Sequence, residues 1–181
     1  SRGLAEGIIG SPGVPRGARR RGVAKRQGRL FVSGDGVDSS NRDHVESSYL
    51  NLLDWLQLIF TERPFMLGGR PTIADFGLMG PFWRHFVHDP TPARLMQDRA
   101  PAAYAWAART WTARVSRDGD ESLAAGIPDD WGPMLDAIGE TNHEPLAQNS
   151  VSFTANDQKL APQVQGVPYG AIQPCPPATR R

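Results

Sequence analysis

A chain of 181 residues with 39% hydrophobic side chains and a formal net charge of +1 has room for about one domain, at roughly 150 residues each, and not for two large ones. Its single cysteine, Cys175, excludes an internal disulfide and any multi-cysteine zinc site. No run approaches the ~18 apolar residues of a membrane-spanning helix, so a soluble product without membrane partners is the expectation, and the lone cysteine is compatible with a reducing cytoplasm, the expected location.

Residues 1–30 hold eight basic side chains (Arg2, Arg16, Arg19, Arg20, Arg21, Lys25, Arg26, Arg29) against one acid, Glu6. The stretch is punctuated by Gly10, Pro12, Gly13, Pro15 and Gly17 and has no sustained periodicity, so it cannot bury a core. Residues 1–40 are therefore expected to be a disordered basic arm, read first as a solvated tail or a gene-model artefact. Its glycines and prolines spoil the amphipathic helix of a targeting peptide. Nucleic-acid binding is disfavoured because no aromatic stacking side chain lies among the arginines.

From Asn41 the pattern becomes helical. Val45, Tyr49, Leu52, Leu53, Leu56, Ile59 and Phe60 form one apolar stripe, which predicts a helix over 42–62. Asp38, Ser39, Ser40 or Asn41 can cap its start, and Arg63-Pro64 supplies its end. Gly68-Gly69 then makes a turn. Thr72 and Asp75 have the spacing of a capping box, with Asp in place of Glu or Gln, and a cap of this kind is worth roughly 1–2 kcal/mol. Behind it Phe76, Leu78, Met79, Phe82, Trp83, Phe86 and Val87 are apolar on nearly every side, which predicts a helix buried at the centre of a bundle. Pro81 predicts a kink or a local irregularity in it.

A short helix is expected near 92–98, and Pro101 opens another that runs to about Arg117-Asp118-Gly119 with Tyr104, Ala108, Trp111 and Val115 as its stripe. A last amphipathic piece follows Pro128-Asp129, with Trp131, Leu135 and Ile138 on one face and Gly139 as its stop. Residues 141–181 read as an irregular tail. The fold class is therefore all-α, with a helical domain over 41–140.

The run from Arg63 to Phe82, RPFMLGGRPTIADFGLMGPF, resembles the segment of glutathione S-transferases that leads into the central helix of their all-helical C-terminal domain. The order of elements over 42 to about 117 is similar too, and IPDDWGPMLDAI at 127–138 resembles the extension of a bacterial-type subgroup. The resemblance gives Thr72 and Asp75 a structural role. It implies a hydrophobic co-substrate wall, contacts within a homodimer or with a thioredoxin-like partner domain, and glutathione as co-substrate. The family's glutathione-binding half comes first and is thioredoxin-like, but residues 1–41 offer only Leu30-Phe31-Val32 as strand-like sequence. No catalytic hydroxyl or thiol carries over, so the chain alone is expected to be inactive. The alternative is a non-catalytic helical protein-interaction domain with a basic arm.

Trp83, Phe86 and Trp106 are the candidates to line an apolar pocket for a hydrophobic small molecule, although aromatics at helical spacing are more often core. His85 and His88, beside Asp89, have a spacing a metal can use but lack further ligands, and more simply line a helix end. Cys175, in Pro-Cys-Pro-Pro, has no positioned base and reads as a tail thiol. No catalytic, cofactor-binding or metal-ligating residue is assigned.

Overall fold

The computed structural model describes residues 36–114 and 122–176, and it is mostly helical with one small two-stranded sheet. The basic arm up to residue 35, the expected helix end at 117–119 and Val115 lie outside the described residues. The chain forms two compact units, one over residues 49–133 and one over 36–48 with 134–176.

Helix α1 runs Arg42–Glu62, the bounds the stripe and Pro64 predict. In the first unit it buries Leu53, Leu56, Ile59 and Phe60. A tight turn follows, in which Phe65 and Gly68 exchange two backbone hydrogen bonds of 3.1 and 3.3 Å. Gly68 has φ +132°, and a Cβ there would lie 2.7 Å from the Ser122 carbonyl oxygen, so glycine is required twice over. The close approach lets 122–124 pair with this turn: Gly69 N–H donates to Ser122 and Ala124 N–H to Leu67, at 2.9 and 2.7 Å.

Helix α2 is Ile73–Pro81 and continues directly as a π-turn over Phe82–Val87. Pro81 lacks the N–H that would bond Gly77 O, yet the helix does not break there: Phe82 N–H still reaches Leu78 O and Met79 O, and the irregularity follows as the wider turn. The expectation that α2 is buried all round is incorrect. Within α2 only Asp75 is fully buried, while Ile73 is 90% and Phe76 48% exposed. Apolar residues on every side showed that burial was affordable, not which neighbours were available.

Helix α3, Pro90–Arg99, starts two residues earlier than expected, with Asp89 at its N-cap and Pro90 at its first position. Ala100 N–H closes it on Met96 O at 2.8 Å, and Pro101 at once opens α4, Pro101–Trp111. The predicted stripe of α4 is out of phase. Its buried residues are Ala103, Trp106, Ala107 and Thr110, while Trp111 is 56% exposed. Large aromatics at 104 and 111 suggested one face, whereas the alanines permit the closer approach on the other.

A 3₁₀ turn, Asp129–Trp131, leads into α5, Gly132–Ile138. Arg63 grips this turn with a bidentate pair to Asp130 at 2.7 and 2.8 Å, while its Nε donates to Met66 O at 2.8 Å. Gly139 does not stop the helix: a second π-turn, Gly139–His143, passes into α6, Glu144–Thr154. On α5, Met134 is buried, whereas Leu135 and Ile138 are exposed, so the predicted face is wrong there as well.

The segment from 141, expected to be an irregular tail, carries α6 and a hairpin of β1, Gln163–Val164, and β2, Val167–Pro168. Gln165 and Gly166 both have positive φ, 51° and 76°, as a two-residue primed turn requires. Side-chain amides hold this unit together. Asn41, 1% exposed, donates to Gly36 O and Pro168 O at 2.9 and 3.3 Å and accepts the Asp38 N–H at 2.9 Å, so its side chain pins the loop before α1.

Candidate functional site

The capping residues form the centre of the first unit. Asp75 is completely buried, and an unpaired carboxylate there would be prohibitively costly. Its Oδ2 accepts the Thr72 N–H and the Thr72 hydroxyl at 2.8 and 2.9 Å. Its Oδ1 accepts the Met66 N–H and the Trp106 Nε1–H at 2.8 and 2.9 Å. One side chain thus starts α2, fixes the turn before it and anchors α4. The sequence spacing discloses the first of these. The others were signalled only by a general rule, that an acid inside an apolar helix must find donors.

Trp106 was a candidate pocket wall, but it has no exposed surface. Its indole stacks on Phe60 at 4.5 Å and meets Phe82 edge-on at 5.9 Å, so it is core. Phe86 stacks on Tyr49 at 4.6 Å, and burial pushes the Tyr49 phenol up to about 12, leaving it a neutral donor to Pro92 O at 3.2 Å. Trp83 stacks instead on Trp111, with centroids 4.8 Å apart and planes 8° from parallel. The three candidates therefore do not share one wall: Trp83 pairs with Trp111, Phe86 with Tyr49, and Trp106 is sealed.

His88 packs edge-on against Trp83 at 5.1 Å, and His85 and His88 are exposed. Among the described residues no three His, Cys, Asp or Glu side chains converge as a metal site would need.

The second unit holds a cleft that the sequence did not suggest, about 610 Å³ in volume, lined by Pro145, Leu146, Leu160, Pro162, Ile172 and Cys175 among others. Two neighbouring amides of α6 build it. Gln148 exchanges two hydrogen bonds of 3.0 Å with the backbone of Gln163, and Asn149 exchanges two of 2.8 Å with the backbone of Cys175. The exposed thiol of Cys175 thus sits on a held segment rather than a free tail. The walls can hold an apolar molecule, and among the described residues that line the cleft there is no base or cation to activate the thiol.

Among the described residues no helix is long and apolar enough to cross a membrane. Comparison with family models, curated proteins and solved structures found no match for this chain.

Proposed function

We propose that the helical unit over residues 49–133 is the C-terminal-type half of a glutathione S-transferase-like protein, contributing apolar surface beside a co-substrate and contacts to a thioredoxin-like domain or a second copy. The observation that carries this reading is the Asp75 centre. A buried acid that starts α2 and is clasped by Met66 and Trp106 gives a structural purpose to the residues on which the resemblance rests. Thiol activation requires a donor or positive field at the glutathione sulfur, together with groups that orient the peptide. In this reading both come from the thioredoxin-like half.

The test is calorimetry and a conjugation assay with an electrophilic aromatic substrate. The 181-residue chain alone should neither bind glutathione nor conjugate it, whereas its fusion behind a thioredoxin-like domain of the family should do both. Saturable binding by the chain alone, or an inert and well-folded fusion, would count against the proposal. A second reading, a non-catalytic protein-interaction domain, is favoured by the exposure of Ile73 and Phe76 on α2.

A further inference from the structure

The exposed side of α2 continues without interruption through the π-turn. Ile73, Phe76, Gly77, Gly80, Pro81, Arg84, His85 and His88 are all exposed, and they recur at three- and four-residue steps, so they form a single stripe. Its two halves differ. The first is apolar, with Ile73 90% and Phe76 48% exposed, and a Cβ built on Gly77 or Gly80 would meet nothing within 4 Å. The second is basic, presenting the guanidinium of Arg84 and the imidazoles of His85 and His88. The stripe carries no carboxylate: Asp75 is buried on the opposite side, and Asp89, just beyond it, is the N-cap of α3.

We infer that this stripe docks an amphipathic helix of another protein, with apolar side chains seated over Gly77 and Gly80 and a cluster of Asp or Glu one turn away against Arg84, His85 and His88. The bare glycines let a second helix backbone come close, and Ile73 and Phe76 supply the apolar anchors that helix-in-groove recognition uses. The basic turn determines the partner's charge and its direction along the stripe. A second copy of this chain does not fit. Antiparallel pairing would set Arg84 over the apolar half, and parallel pairing would oppose two basic turns. A bilayer fits less well than a helix, because interfacial helices place their basic groups along the flanks of the apolar face, whereas here they follow it along the axis. This inference is independent of the transferase reading.

A display selection of random helical 16-residue peptides against the full chain tests it. Selected peptides should carry apolar residues at i, i+3 or i+4, and i+7, with Asp or Glu clustered in the adjoining turn. Arg84→Glu should weaken a selected peptide about tenfold, the range of a well-placed interfacial charge pair, and replacing the peptide's acids with Lys should recover binding to that variant. Phe76→Ser should abolish the selection, and because both positions are exposed the far-ultraviolet circular dichroism of either variant should be unchanged. Absence of enrichment, or peptides without acids that bind Arg84→Glu as well as the parent, would overturn the inference. So would Phe76- and Arg84-dependent sedimentation with phosphatidylserine vesicles, which would replace the protein partner with a membrane.

Discussion

Replacing Asp75 with alanine should cost far more than the loss of a surface cap. The carboxylate accepts four hydrogen bonds, from Met66 N, Trp106 Nε1, Thr72 N and Thr72 Oγ1. Met66 and Trp106 are 2% and 0% exposed, so their orphaned donors cannot turn to water. At roughly 1–3 kcal/mol for each of the two buried donors and about 1 for the cap, the total is about 3–7 kcal/mol. Relief of the carboxylate's own desolvation pulls the net value toward the lower end of that range. Against a typical stability of about 5–15 kcal/mol such a loss is a large fraction of what holds the unit folded. Urea denaturation followed by tryptophan fluorescence measures it, and Trp106→Phe completes a double-mutant cycle. Because Trp106→Phe removes one of the donors left stranded by Asp75→Ala, the pair should couple by about 1–2 kcal/mol. A loss near 1 kcal/mol for Asp75→Ala, or additivity within about 0.5 kcal/mol, would refute the clasp.

Three further outcomes follow from individual side chains. Thr110 is 2% exposed and its hydroxyl has no hydrogen-bond partner, so Thr110→Val should leave stability unchanged or raise it by about 1 kcal/mol in the same titration. Gly68→Ala should destabilise by roughly 1–3 kcal/mol and detach 122–124, detected as faster proteolysis near Leu123, because φ +132° and the Ser122 carbonyl both oppose a Cβ. The bidentate hydrogen bond from Arg99 holds the Asp54 carboxyl below its ordinary value of 3.8. Its small contribution is therefore present above 3.8 and lost as pH falls through the lower folded-state value. Asp54→Asn should flatten the acid limb of the stability–pH curve and change little at neutral pH, since the pair is half exposed.

The parts legible in the sequence were those written into one local pattern. The stripe from Tyr49 to Phe60 and the stop at Arg63-Pro64 suffice for α1. The Thr72–Asp75 spacing suffices for the start of α2. The donors that complete Asp75, Met66 and Trp106, are nine and 31 residues away and have no local signature. Alanine explains the error in α4: Ala103 and Ala107 are weak hydrophobic markers, yet their small size lets α4 pack closely. In the second unit Gly139 opens a π-turn where a glycine ordinarily signals a helix end, and the cleft has no signature in the sequence because Gln148 and Asn149 bind extended backbone through amides, which leave no apolar period.

The two π-turns bear on how this chain can change length. A π-turn arises when a helix accommodates one surplus residue while the flanking turns keep their orientation. Removing exposed His85 from Phe82–Val87, or His143 from Gly139–His143, should therefore convert the turn to ordinary α-helix and leave the neighbouring elements in place. The same one-residue deletion within α1, at Ser48 for example, would rotate Leu53, Leu56, Ile59 and Phe60 by about 100° away from the core. Single-residue deletions should thus be tolerated at two defined points of the helical path and not along α1, a constraint imposed by helical phase rather than by any one contact.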